Sequence, residues 1–145
     1  MSYVYDAEIN IHSVIDNLDD NGLPEGEPEI NIITVHGTYK TDSVRRELYY
    51  TEENEGGKTQ CTLVVGANGE ITLTRHGAIE SIMRFKEGVS TDTVYKIPPY
   101  SFDMTISTAR IRNSLAERGG ELQLIYSMTV GGQSKKVRMK LNVKA

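Results

Sequence analysis

Cysteine is nearly missing from this chain. Cys61 is the only one, so no intrachain disulfide can form, and that usage fits a reducing compartment. Cys61 lies in Thr59-Gln60-Cys61-Thr62-Leu63-Val64-Val65, which reads as a strand, and its thiol reads as a small buried apolar group. Long apolar runs are also missing. Nothing approaches the roughly twenty residues a membrane helix needs, so no membrane association is expected. The start, Met1-Ser2-Tyr3-Val4-Tyr5-Asp6, has neither a basic head nor an apolar block. A secretory leader is therefore not expected, and a cytoplasmic location is.

Catalytic signatures are lacking as well. There is no Gly-x-Ser-x-Gly, no Ser-x-x-Lys and no phosphate loop. Glu52 and Glu53 are neighbours on a strand, so their side chains diverge to opposite faces and make no local acid–base pair. The three histidines, His12, His36 and His76, share no metal-ligand spacing. Asn17-Leu18-Asp19-Asp20-Asn21-Gly22 imitates the opening of a calcium loop, but the twelfth position is Pro28 where a bidentate Glu belongs. No enzyme activity, cofactor or metal is expected.

Sixteen Lys and Arg stand against twenty Asp and Glu, a net charge of −4. That balance does not favour nucleic acid. The distribution is uneven, because Lys135, Lys136, Arg138, Lys140 and Lys144 meet no acid in the last eleven residues. These read as a solvated face, with a strip for an anionic partner as the sharper alternative.

What the sequence does hold is alternation. With 38% hydrophobic and 25% charged residues, the 145-residue chain has the makings of a single folded domain, 1–145. Val137, Met139, Leu141 and Val143 alternate with Arg138, Lys140, Asn142 and Lys144. Leu122, Leu124, Tyr126, Met128 and Val130 share a face, and Gly131-Gly132 joins the two runs as a hairpin. Phe102-Met104-Ile106, Tyr95-Ile97, Ser81-Met83-Phe85 and Ile71-Leu73 repeat the pattern, as do Asp6 to Ile15, Glu29 to Lys40 and Val44 to Glu53. Asn68-Gly69 marks another hairpin, and 16–28 is the one long loop. Regular short strands of this kind predict an all-β, antiparallel barrel of about eight to ten strands. At most one short helical turn fits, around Ile111 and Leu115, with a bulged strand as the alternative.

Further residues carry a resemblance. Thr74-Arg75-His76-Gly77, Met83-Arg84-Phe85, Tyr95-Lys96-Ile97-Pro98-Pro99-Tyr100-Ser101-Phe102-Asp103-Met104 and Gly119-Gly120-Glu121-Leu122 recur in order, with Leu48-Tyr49-Tyr50-Thr51-Glu52-Glu53 upstream. The whole resembles the YwiB-like, calycin-like bacterial family of unknown function. That resemblance implies a lipocalin-like antiparallel barrel in the bacterial cytoplasm, and it brings no activity or ligand. Here Pro98 and Ser101 replace a Thr and a Gly of the family pattern, which disfavours a left-handed backbone at 101.

Arg75 shares a face with Ile71 and Leu73, so alternation turns it toward the barrel interior. A buried guanidinium must be paired. It either anchors a carboxylate or phosphate ligand or pairs with an internal acid. A protein carboxylate beside it would speak for the second reading. Arg46, on the face of Leu48 and Tyr50, poses the same question. Tyr50, Tyr95 and Tyr126 also project to apolar faces. These five are the candidate ligand contacts.

Leu73, Met83, Phe85, Phe102, Met104, Leu122, Leu124, Met139 and Leu141 form the expected core. The first strand, with Asp6, Glu8, Asn10 and His12 outward, should pair with the basic last strand and shut the barrel. Two functions fit such a barrel. One is a small-molecule binder with Arg75 and the tyrosines as polar contacts. The other is a structural or interaction module with a filled core. An apolar cavity of several hundred cubic ångströms ending in polar groups favours the first. The sequence does not fix the oligomeric state.

Overall fold

A computed structural model describes residues 1–145. The chain is all strand: β1 (Tyr3–Asn17), β2 (Glu29–Thr41), β3 (Arg46–Asn54), β4 (Gly57–Val65), β5 (Ile71–Gly77), β6 (Ser81–Phe85), β7 (Ser90–Ile97), β8 (Tyr100–Asn113), β9 (Gly119–Val130) and β10 (Gln133–Lys144). With no helix at all, there is none long and apolar enough to cross a membrane.

All ten strands run antiparallel in the order β6-β5-β4-β3-β2-β1-β10-β9-β8-β7. The first and last strands pair from Glu8↔Lys144 to Asn17↔Lys135, the ladder that the charge pattern predicts. The ring is nearly closed. Its weak joint lies between β6 and β7, where one bridge holds: Glu80 and Lys96 exchange N–H···O bonds of 2.9 Å each way. Gly131 and Gly132 form the two-residue turn between β9 and β10, both at positive φ, which only glycine adopts without strain.

Side chains alternate along the strands, apart from one bulge in β8, and the inward set forms one core that includes Ile9, Tyr39, Leu48, Leu63, Ile71, Phe85, Ile106, Leu122, Leu124 and Leu141. One expectation is settled and one needs correction. Of the two readings of residues 111–115, the bulged strand holds: β8 continues to Asn113 through a bulge between Thr108 and Arg110, because Ile111 and Leu124 pair across the β8–β9 ladder. Phe102 is not core but 39% exposed. Its strand outruns its neighbour: β9 stops at Val130, opposite Met104, so residues 100–103 have a partner only in β7. The calcium-like loop is an ordinary turn, in which Asp19 Oδ1 accepts the N–H groups of Asn21 (2.9 Å) and Leu23 (3.0 Å).

Candidate functional site

The two ends of the barrel differ. At one end the β8–β9 connection folds inward as a plug. Leu115 is buried there, and the Tyr39 hydroxyl donates to the Ala116 carbonyl at 2.6 Å. The large inward side chains crowd this half. Toward the other end the inward positions turn polar: Ser13 on β1, Asn31 on β2, Glu52 on β3, and Gln133 and Lys135 on β10. Such groups cannot pack dry against one another without partners, and the interior stays open. The result is a cavity of about 1110 Å³ reached from this end.

The cavity also has a side opening. The β2–β3 ladder covers only Thr41↔Arg46 to Thr38↔Tyr49. At Gly37 the strands touch so closely that a Cβ would collide with the Tyr49 carbonyl. Beyond it they part, and Thr34 and Val35 face Thr51 to Asn54 across a slot that forms part of the cavity wall. Residues 29–37 of β2 therefore pair with β1 alone.

Four directly paired residues cross the interior: Tyr50 on β3, Cys61 on β4, Arg75 on β5 and Ser81 on β6. All point inward by the alternation that buries Leu48, Leu63, Leu73 and Met83 one row further in. The Arg75 side chain is 20% exposed, and its Nη2 lies 3.8 Å from Oε1 of Glu52, itself 21% exposed. Nη1 reaches the Met83 sulfur at 3.2 Å. Nε has no partner, and neither does the buried Ser81 Oγ. Burial works against the Arg75 cation, but Glu52 and then Tyr50, Cys61 and Tyr126 more than offset it, so its pKa is raised. Burial also raises Tyr50 well above the ordinary phenol range. It pushes Tyr126 up to about 12, despite the opposing pull of Arg75. The Cys61 thiol is likewise pushed up to about 12, by burial first and then by Glu52. A thiol held that far from its thiolate is chemically quiet at neutral pH.

Of the five candidate contacts, the structure brings four to the cavity: Arg75, Tyr50, Tyr95 and Tyr126. Arg46 stands apart from it. Its Nη1 donates to the Asp42 carbonyl and, at 3.4 Å, to that of Arg45, within the β2–β3 turn at the plugged end. Sequence reasoning passed over Glu52, although the run Leu48, Tyr50, Glu52 already turned it inward. It also missed that Met83, Met104, Met128 and Met139 line one cavity. Their inward positions were legible, but not that they flank an open space.

Comparisons with known proteins agree with this architecture. The model of the family described as "Domain of unknown function (DUF1934)" matches residues 9–142. The "Uncharacterized beta-barrel protein YwiB" of Bacillus subtilis (strain 168) is 30% identical over 125 residues, covering 86% of this chain and 82% of that protein. The crystal structure of the ywiB protein from Bacillus subtilis superposes with a TM-score of 0.85 at 27% identity, over 98% of this chain and 92% of that one.

Proposed function

The chain belongs to the DUF1934 family, and from that premise we propose that it is a non-enzymatic binding barrel that takes one small amphipathic or anionic molecule into its open half. The observation that carries this reading is the cavity. Its roughly 1110 Å³ lies just above the about 300–1,000 Å³ usual for ligand sites, ample for one small molecule. Its wall is mixed, 14 of 25 lining residues being hydrophobic, with polar groups at Arg75, Tyr50 and Tyr126 among them. A barrel serving only as a filled scaffold would have no reason to leave a cavity of this size unpacked, since interiors pack densely wherever side chains allow. The reading places the chain beside lipocalin-like barrels, which hold one small ligand inside, and in the cytoplasm, where Cys61 stays reduced.

Arg75 alone does not carry the proposal. Its partner is a protein carboxylate, as a purely structural arginine would have. The binding reading rests on the space beside it. Native mass spectrometry of the protein purified from its own host tests it. The expected result is a reproducible adduct of a few hundred daltons, released on denaturation. Only bare chain in every preparation, together with no uptake of a neutral apolar dye, would overturn it.

A further inference from the structure

The Arg75–Glu52 pair is poorly made for a permanent one. A charge-assisted pair built for stability sits at about 2.7–2.9 Å, usually with two parallel bonds from a guanidinium to a carboxylate. Here a single oxygen lies at 3.8 Å, beyond hydrogen-bond reach. A guanidinium has five N–H donors. Its other polar neighbours are two sulfur groups, the Met83 thioether and the Cys61 thiol, both weak acceptors, and its Nε is buried with no partner. A second orphan, Ser81 Oγ, belongs to the residue directly paired with Arg75, and Ser81 is 6% exposed. Arg75 lines the cavity with its Nε unpartnered, which marks a place that lacks an oxygen-bearing group; Ser81 is its paired neighbour but does not itself line the cavity.

Glu52 is also free to leave. It sits on the part of β3 that β2 no longer covers, beside the slot, so its carboxylate can turn to water without breaking a ladder. If it left with nothing in its place, Arg75 would be a buried, unpaired cation, which is costly. A ligand with one negative charge and two oxygens restores neutrality and fills the empty donors.

We propose that Glu52 is the resident counter-ion of Arg75, and that a carboxylate-headed amphiphile displaces it, its head on Arg75 and its apolar tail along the cavity methionines. This rests on the cavity being a binding site. Neutral molecules of the same shape enter but cannot displace Glu52, so Glu52 sets both the affinity and the selectivity of the site. Met83, Met104, Met128 and Met139 supply an unbranched, adaptable wall that suits a flexible tail.

The test is displacement of Nile red, a neutral dye, from the full-length protein by decanoate and by decanol. Wild type should release dye to decanoate at about tenfold lower concentration than to decanol, a difference of about 1.4 kcal/mol. Glu52→Gln removes the competitor, so it should tighten decanoate by about threefold to tenfold and leave decanol unchanged. Arg75→Met should erase the preference for the carboxylate. If that variant loses its strand signal by circular dichroism, the Glu52→Gln comparison decides. Equal potency of decanoate and decanol on wild type overturns the proposal, as does weaker decanoate binding by Glu52→Gln. No dye uptake by wild type overturns the binding reading beneath it instead.

Discussion

Replacing Leu124 with Ala probes the register of the barrel at its most diagnostic point. Leu124 sits on β9, 0% exposed, directly paired with Met139 on β10 and Ile111 on β8. The substitution removes three carbon groups, worth about 0.8 kcal/mol each in transfer from water, or about 2.4 kcal/mol together. The void left behind adds a further cost that depends on how far the surroundings close in, which brings such changes to about 2–5 kcal/mol. Ile111 is β-branched and held on a paired strand, so it moves little. Met139 is unbranched and flexible, and it can lean into the gap. The expected loss is therefore near the middle of the range, about 3 kcal/mol, read from urea denaturation with an unchanged slope. A loss below about 1 kcal/mol would mean that Leu124 does not face the core. Because a one-residue slip turns every side chain on a strand to the other face, that result would refute the inward assignment of the whole β9 row, Tyr126 included.

Three further outcomes follow from particular contacts. Tyr39→Phe deletes the 2.6 Å bond that ties β2 to the plug and should cost about 0.5–1.5 kcal/mol, read from the thermal midpoint; no change would mean that the hydroxyl finds water instead. Tyr126 holds its proton up to about 12 in the fold, above the unfolded value of about 10, so the native state binds more protons between them. Its contribution to stability is full below about pH 10 and falls as pH rises through about 12; absorbance near 295 nm should show a late phase from Tyr126 and Tyr50, and full ionisation of all tyrosines by about pH 10.5 in the native state would contradict their burial. Ile32, 64% exposed on the stretch of β2 that pairs with β1 but not with β3, should tolerate Lys with a stability change within about 0.5 kcal/mol while heat-induced light scattering falls, because a lysine guards an open edge; a loss above about 1 kcal/mol would mean that the edge is covered.

The fold was legible because it rests on local rules. Alternation placed Leu73, Met83, Phe85, Met104, Leu122, Leu124, Met139 and Leu141 inside, and all are buried. Phe102 obeyed the same parity yet is exposed, since parity fixes direction, while burial needs a neighbouring strand to extend as far. The segment at Ile111 was open between two readings for a related reason. Its spacing matched a helix as well as a bulged strand, and pairing with β9, which local periodicity does not contain, decided for the strand, with a bulge taking up the odd residue. The cavity was beyond sequence altogether. It depends on where β2 parts from β3, and that point is set by the close approach of Gly37 to Tyr49 across strands twelve positions apart in sequence.

Charge on the two terminal strands shows how little ion pairs do in setting a ladder. The acidic first strand and the basic last strand do pair, yet Glu8 forms no ion pair with Lys144 directly opposite, and Lys140 faces His12, which offers it no negative charge. Lys140 instead reaches Glu121 on β9 at 3.4 Å, and Arg138 reaches Asp16 diagonally at 3.8 Å. Exposed pairs of this kind are worth roughly 0–1 kcal/mol. The register is held by the inward rows, where Ile9 meets Val143 and Ile11 meets Leu141, all buried. Outward charges then find what neighbours that register gives them. This also thins the basic run as a surface for anions. Lys135 turns into the cavity wall, and Arg138 and Lys140 each have an acid within 4 Å, which leaves Lys136 and Lys144 standing eight residues apart on β10. A strand rises about 3.3 Å per residue, so those two charges are roughly 26 Å apart, well beyond a Debye length of about 8 Å at physiological salt. They do not add into one field, so the outer face of β10 offers an anion two separate charges, whereas Arg75 stands at the cavity wall with a buried, unpartnered Nε.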